Sequence, residues 1–224
     1  MTRGIFLVGN ESTLFSAIAA EALKRAEGFA AAVIPSRFPK PDGDTKIEAV
    51  RGAFPLTWNP ASSISARTLV LAAENRLTKI HDAILICSPP SVYKTAALLM
   101  PEEIEILVND HIKGWFFLIR ELILYFQRSG AGTLSFVMPV LDPVGRGKSG
   151  QTDLLGPPAA AAFQTFAQGV FASSANEVFQ IMGFAGFEGV VKEEFASWLF
   201  KIIDGSSRKN SGRWNKFSKL SFLR

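Results

Sequence analysis

Short runs that are apolar throughout alternate with longer segments of helical periodicity along almost the whole chain, and few folds accept that rhythm. Gly4 to Gly9, Phe29 to Ile34, Asp82 to Cys87, Gly132 to Met138 and Val178 to Phe184 have strand length, and they are apolar in succession rather than at every second position. A strand that is apolar on both faces is covered on both faces, which points to a parallel sheet. The connecting segments supply the cover. Leu14-Phe15-Ala17-Ile18-Ala19-Ala22-Leu23 recurs at helical spacing, and further helices are predicted from the start Asn59-Pro60-Ala61-Ser62 to about Ile80, Glu102 to Arg128, Pro158 to about Ala175, and Lys192 to Ile203. A short strand is predicted around Phe54 to Trp58, after a loop holding Pro35 and the Pro39-Lys40-Pro41-Asp42-Gly43-Asp44 stretch.

Parallel strands joined by helical crossovers are connected right-handedly, so the expected architecture is α/β: a doubly wound, Rossmann-type parallel sheet in three α/β/α layers. The 224 residues are read as one domain, 1–224. Hydrophobic residues make up 48% and charged ones 20%, so much of the surface is expected to be covered by other copies of the chain. The most apolar run, Trp115 to Phe126, carries Arg120 and Glu121 and is shorter than the roughly 20 residues of a membrane span, so it reads as a buried helix.

The first residues show no small-residue cleavage site, and Cys87 is the single cysteine, so a cytoplasmic location is expected. The formal charge of +4 gathers at the end of the chain in Arg208, Lys209, Arg213, Lys216, Lys219 and Arg224. With Trp214, Phe217, Leu220 and Phe222 among them as packing residues, this reads as a solvated C-terminal segment rather than a nucleic-acid arm. His81 and His111 are isolated and read as surface or helix residues, which leaves no metal-ligand spacing. Gly145-Arg146-Gly147-Lys148-Ser149 carries Asp142 where a phosphate-binding loop needs its first glycine, and is read as a flexible active-site lid or a plain loop.

Four stretches and the end of the chain, in order, resemble the short-chain dehydrogenase/reductase family: the strand Gly4 to Gly9, the strand Asp82 to Cys87, Val108-Asn109 followed by Gly114, and Gly132-Thr133-Leu134-Ser135-Phe136-Val137. Phe195-Ala196-Ser197-Trp198-Leu199 through Ser211-Gly212 resembles the closing helix and turn of that family. The resemblance implies a dinucleotide, NADP(H), with contacts at Gly9, Arg37, Asn59 and Ser88, and Arg37 standing where a ribose phosphate would be met. It makes Asn109, at the start of the central helix, the matching member of the catalytic set. It also implies a homodimer or homotetramer joined through the helices that begin at Asn109 and Pro158, with close approach at Ala159 to Ala162, Ala167, Gly169 and Ala172. A small-molecule ligand is compatible with it.

The chain departs from that family where the chemistry is done. Tyr93 and Tyr125 are the only tyrosines, and a Tyr-x-x-x-Lys pair would need lysine at Ala97 or Ser129. By position, the pair becomes Gly156 and Ala160, or Ala160 and Gln164. The serine position falls near Met138-Pro139. In the family the tyrosine transfers a proton at the substrate oxygen and the lysine lowers its pKa, so these losses remove general acid–base catalysis. The first turn reads Gly9-Asn10-Glu11-Ser12-Thr13-Leu14-Phe15, with Thr13 and Phe15 in place of later glycines and expected to crowd a pyrophosphate, and Glu11 opposing its charge. Weak or absent cofactor binding is expected. The sequence reads as a homologue with a degenerate active site, a binding or scaffold protein. The alternative is an NADPH-dependent oxidoreductase that draws an unconventional acid from a polar set of Asp142, Lys148, Thr152 and Asp153.

Overall fold

In the computed structural model, residues 3–10, 12–34, 52–139, 152–186, 191–205 and 208–217 are described. Arg37, the 39–44 loop, Glu11, Asp142, the Gly145 to Ser149 segment with Lys148, and Lys219, Leu220, Phe222 and Arg224 lie outside them. Among the described residues the strands are β1 (Gly4–Asn10), β2 (Gly28–Ile34), β3 (Phe54–Leu56), β4 (Asp82–Ile86), β5 (Thr133–Met138), β6 (Gln180–Ala185) and β7 (Arg213–Lys216). They form one seven-stranded sheet in the order β3-β2-β1-β4-β5-β6-β7, with every pairing parallel. The order reverses direction at β1 and β4, the switch point where α/β sheets open a crevice at their C-terminal edge.

The apolar runs account for this arrangement. Every residue of β1 and β4 is buried, because helices cover both sides. Alternation along β1 sends Phe6 and Val8 into the layer formed with α2 (Ser63–Leu77), α4 (Gly114–Ser129) and α5 (Gly156–Ser173). Ile5 and Leu7 face the opposite layer, formed with α1 (Thr13–Leu23) and α6 (Lys192–Asp204). Serines start the first two helices: Ser12 Oγ accepts the Phe15 N–H at 3.1 Å and Ser62 Oγ accepts the Ser65 N–H at 3.2 Å. At the N-terminal edge of the sheet, Arg3 pairs with Asp82 at 2.7 Å and with Asp204, and Arg25 pairs with Asp204 at 3.0 Å, tying β1, β4, α1 and α6 together.

Two elements differ from the sequence reading. The helix predicted from Glu102 to Arg128 is a continuous helical path that contains a π-helical turn: α3 (Pro101–Leu107), the turn Val108–Lys113, then α4. Asn109 therefore lies inside a helical run rather than at its start, and its carbonyl accepts the N–H of Gly114 across the wide turn. Gly114 is required for close approach, since a Cβ there would stand 2.5 Å from Cβ of Pro60. The second difference is β7. Its sequence Arg213-Trp214-Asn215-Lys216 is polar and short, and it becomes a strand because β6 offers a free edge, with Gly183 opposite Trp214. The packing roles of Trp214 and Phe217 hold: Trp214 lies edge-on to Phe171 at 5.5 Å, and buried Phe217 meets Trp198 at 5.2 Å.

Candidate active site at the C-terminal edge of the sheet

The crevice is built from the ends of β1, β4 and β5 and from the π-helical turn above them. β1 closes on Asn10, which is 8% exposed and, by strand alternation, lies on the side of α2 and α4. The extra residue in the π turn swings two polar side chains inward, so Asp110 is 0% and His111 3% exposed. Asn10 Nδ2 stands 3.4 Å from His111 Nδ1, which joins the end of β1 to the turn. Burial pushes the His111 pKa down to about 4, so the imidazole is neutral at neutral pH. Of the two readings from sequence, surface or helix residue, His111 is thus the helical one, and it is buried. The one available signal was an Asp-His pair inside an otherwise apolar helical segment. Asn109 is half-buried, and its side-chain oxygen accepts from Lys113 Nζ at 3.2 Å.

The start of α5 is where a tyrosine and lysine would be carried. Asp153 Oδ1 accepts three backbone N–H groups there: Val92 at 3.0 Å, Leu155 at 3.2 Å and Gly156 at 3.0 Å. It caps α5 and pins the segment that follows β4, where Tyr93 forms an isolated antiparallel bridge with it. Of the polar set read from sequence, Asp153 is thus a buried structural group, Thr152 is exposed, and Asp142 and Lys148 lie outside the described residues. A Cβ on Gly156 would stand 2.4 Å from Asp153 Oδ2 and 3.0 Å from the Pro90 carbonyl, so this position accepts no side chain as packed. Ala160 is buried and Gln164 points to solvent. Around them Val92, Leu107, Leu155 and Ala159 form an apolar cluster joined by Leu99, Ile106 and Ile112. At the end of β5, Met138 is 7% exposed and Pro139 follows.

At the ends of β1 and β4, Gly9 pairs with Ile86, and the Phe15 ring packs against it. Phe15 is 1% exposed and sits between α1 and the sheet, so it does not crowd the crevice as the sequence suggested. The third-glycine position has been converted into core. Thr13 is exposed at the first turn of α1, where Lys192 Nζ donates to its hydroxyl. Ser88 is half-buried just beyond β4. Asn59 is exposed, with its side-chain oxygen accepting the Ala61 N–H at 3.1 Å in a local turn. Gly9 and Ser88 thus border the crevice, Asn59 is committed to its own turn, and Arg37 lies outside the described residues. No group of three or more histidine, cysteine, aspartate or glutamate side chains among the described residues has metal-site geometry. No described helix is long and apolar enough to cross a membrane.

No protein-family model matches the chain, and no curated protein does. Solved structures do match. A short-chain type dehydrogenase/reductase from Mycobacterium marinum superposes with a TM-score of 0.75 at 11% identity, covering 96% of this chain and 94% of that one. The fold is that of the short-chain dehydrogenases/reductases. A 3-ketoacyl-(acyl-carrier-protein) reductase from Brucella melitensis, solved with NADH, gives 0.73 at 12% identity over 96% of each chain. A short chain dehydrogenase from Mycobacterium smegmatis gives 0.72 at 10% identity over 97% and 93%. At these identities the fold alone is shared, and the short-chain dehydrogenase/reductase scaffold here holds its own set of residues at the crevice.

Proposed function

We propose that this protein uses the short-chain dehydrogenase/reductase scaffold as a binding or scaffold component of a homo-oligomer, without ordinary carbonyl reductase chemistry. The observation that carries this reading is the first part of α5. Either placement of the tyrosine and lysine falls on Gly156, Ala160 and Gln164, and none of these side chains transfers a proton at neutral pH. The nearest carboxylate, Asp153, is occupied by backbone N–H groups, and apolar side chains fill the space beside it.

A dinucleotide fits the crevice poorly. Gly9 and the N-terminus of α1 are in place, and Lys192 adds positive charge beside Thr13, which favours a phosphate. Against this, the turn keeps a single glycine, and Thr13 holds a branched side chain at the helix start. When bound, the dinucleotide would supply hydride transfer, and this chain's Gly9, Ser88 and Lys192 would hold it. NADPH is favoured over NADH through Arg37. The second reading is an NADPH-dependent oxidoreductase, with the phosphate preference resting on Arg37; the likeness to a reductase solved with NADH supports a nicotinamide dinucleotide in general.

The test is calorimetry with NADPH and NADH, followed by NADPH oxidation against ketones, aldehydes and quinones. Weak binding and no turnover are expected. Turnover at about 1 per second or faster on any of these substrates overturns the non-catalytic reading, since that is an ordinary enzymatic rate.

Self-association is proposed through α4 and α5. The outer face of α5 shows Ala161, Gln164, Thr165, Gln168, Gly169 and Ala172, all exposed and none charged. Phe116 of α4 stacks on Phe166 of α5 at 4.1 Å, flooring an apolar groove with Ala162 and Val170. Ala159, Ala160 and Ala167 are buried in the core instead of lining this face.

A further inference from the structure

At the opposite ends of the strands from the crevice, an open pocket of about 560 Å³ lies between the end of α5, the starts of β5 and β6, and the turn before β7. Two features make it negative. The 18-residue α5 carries no basic side chain in its last turn, so the negative end of its dipole has no counter-charge from its own helix, and its C-cap Ser174 lines the pocket. Glu177, half-buried, is the one charged residue in the lining, and its hydrogen bond is with the neutral amide of Gln127 at 2.9 Å. The basic residues nearby in sequence point elsewhere. Trp214 faces α5, so alternation along β7 sends Arg213 to the other side of the sheet, where it donates to Asn210 Oδ1 at 3.0 Å. Arg128 lines the α2 flank of α4, and Lys209 is not among the residues that line this pocket. Both serine hydroxyls in the lining have given away their protons: Ser174 Oγ donates to the Phe171 carbonyl at 2.7 Å and Ser211 Oγ to the Ile181 carbonyl at 3.2 Å. What these oxygens keep is acceptor capacity. Buried Phe171 and Phe179, with Val178 at 56% exposure, supply an apolar wall.

We propose that this pocket binds a primary alkylammonium ion. The Glu177 carboxylate takes the charge, Ser174 Oγ and the negative end of α5 accept the remaining N–H groups, and Val178, Phe179 and Phe171 take the hydrocarbon stem. An anion is disfavoured by the carboxylate and by the helix end alike. The pocket is at the far ends of the strands from Gly9, Asp153 and the π turn, so it stands or falls independently of the reading of the crevice.

The experiment is calorimetric titration of the full chain with hexylammonium, hexyltrimethylammonium and hexanoate. Hexylammonium should bind saturably with a Kd of about 1 mM or below. Hexyltrimethylammonium, which keeps the charge and the stem but has no N–H donor, should bind about tenfold more weakly, and hexanoate not at all. Glu177→Gln keeps an acceptor for Gln127 and should weaken hexylammonium by about tenfold or more, the loss expected for a charge-assisted hydrogen bond. Ala175→Lys, at an exposed position just past α5, tethers an ammonium group beside the pocket and should abolish binding. Glu177 is half-buried and Ala175 exposed, so circular dichroism should show the native fold in both variants. The proposal is overturned if hexylammonium does not saturate, if either of the other probes binds as tightly, or if either variant keeps its affinity. A sedimentation mass that falls when hexylammonium is added would make a lysine of a second copy the occupant and likewise overturn it.

Discussion

His111 should make the stability of this protein depend on acid in a way that a single substitution removes. The side chain is 3% exposed, and burial holds its pKa at about 4, below the ordinary histidine value of 6.5. Between those values the unfolded chain takes up a proton that the folded chain refuses. Stability is therefore complete above about pH 6.5 and drains away as the pH falls toward 4. Moving from pH 7.5 to 4.5, linkage gives a loss of about 2.5 kcal/mol from this one group, and the order of magnitude is what the buried site supports. Other groups contribute to the acid dependence: Asp82, whose pKa is raised by burial against its pairing with Arg3, and Glu21, lowered by Lys24 and Arg25 despite partial desolvation. They are common to the wild type and a His111→Gln variant, so they cancel in the difference. Urea unfolding at pH 7.5 and 4.5, at one fixed protein concentration, measures it. The variant should be less stable at pH 7.5, having disturbed the contact with Asn10, yet should lose about 2.5 kcal/mol less on acidification. Equal pH dependence of the two proteins, or an NMR titration of His111 with a midpoint above 6, would refute the placement of this imidazole inside the π turn.

Thr78 ends α2 at φ 64° and ψ −38°, a conformation that costs a β-branched residue energy, and it is exposed. Thr78→Gly should raise stability by about 1 kcal/mol, measured by denaturant midpoint, and a destabilised variant would show that the side chain holds this corner. Asp153→Ala removes the acceptor of three backbone N–H groups and should cost about 3 kcal/mol or more. A loss under about 1 kcal/mol, the figure for an ordinary cap, would mean that water replaces the carboxylate. A Cβ on Gly169 would meet nothing within 4 Å, so Gly169→Arg should leave the fold intact and convert the proposed oligomer to a monomer in sedimentation. An unchanged mass would place the subunit contact elsewhere.

The continuous apolar runs of β1 and β4 and the helical periodicities between them were enough, without coordinates, to determine a parallel sheet clad on both sides. Burial on two faces leaves a one-dimensional trace that any strand of this kind must carry. The absence of a Tyr-x-x-x-Lys pair was equally legible, because Tyr93 and Tyr125 are followed four residues on by Ala97 and Ser129. Three things waited for the tertiary structure. The π turn shows no composition of its own; tertiary packing sets it, with Gly114 in close approach to Pro60 and Asp110 and His111 turned inside. Asp153 reads as a loop carboxylate until the chain after β4 comes back beside it and presents the Val92 N–H. Arg213–Lys216 is polar and becomes a strand only because β6 leaves backbone groups to pair with. Local pattern records which faces are covered. Which distant segment does the covering, and which polar atoms it brings along, is settled only when the chain closes on itself.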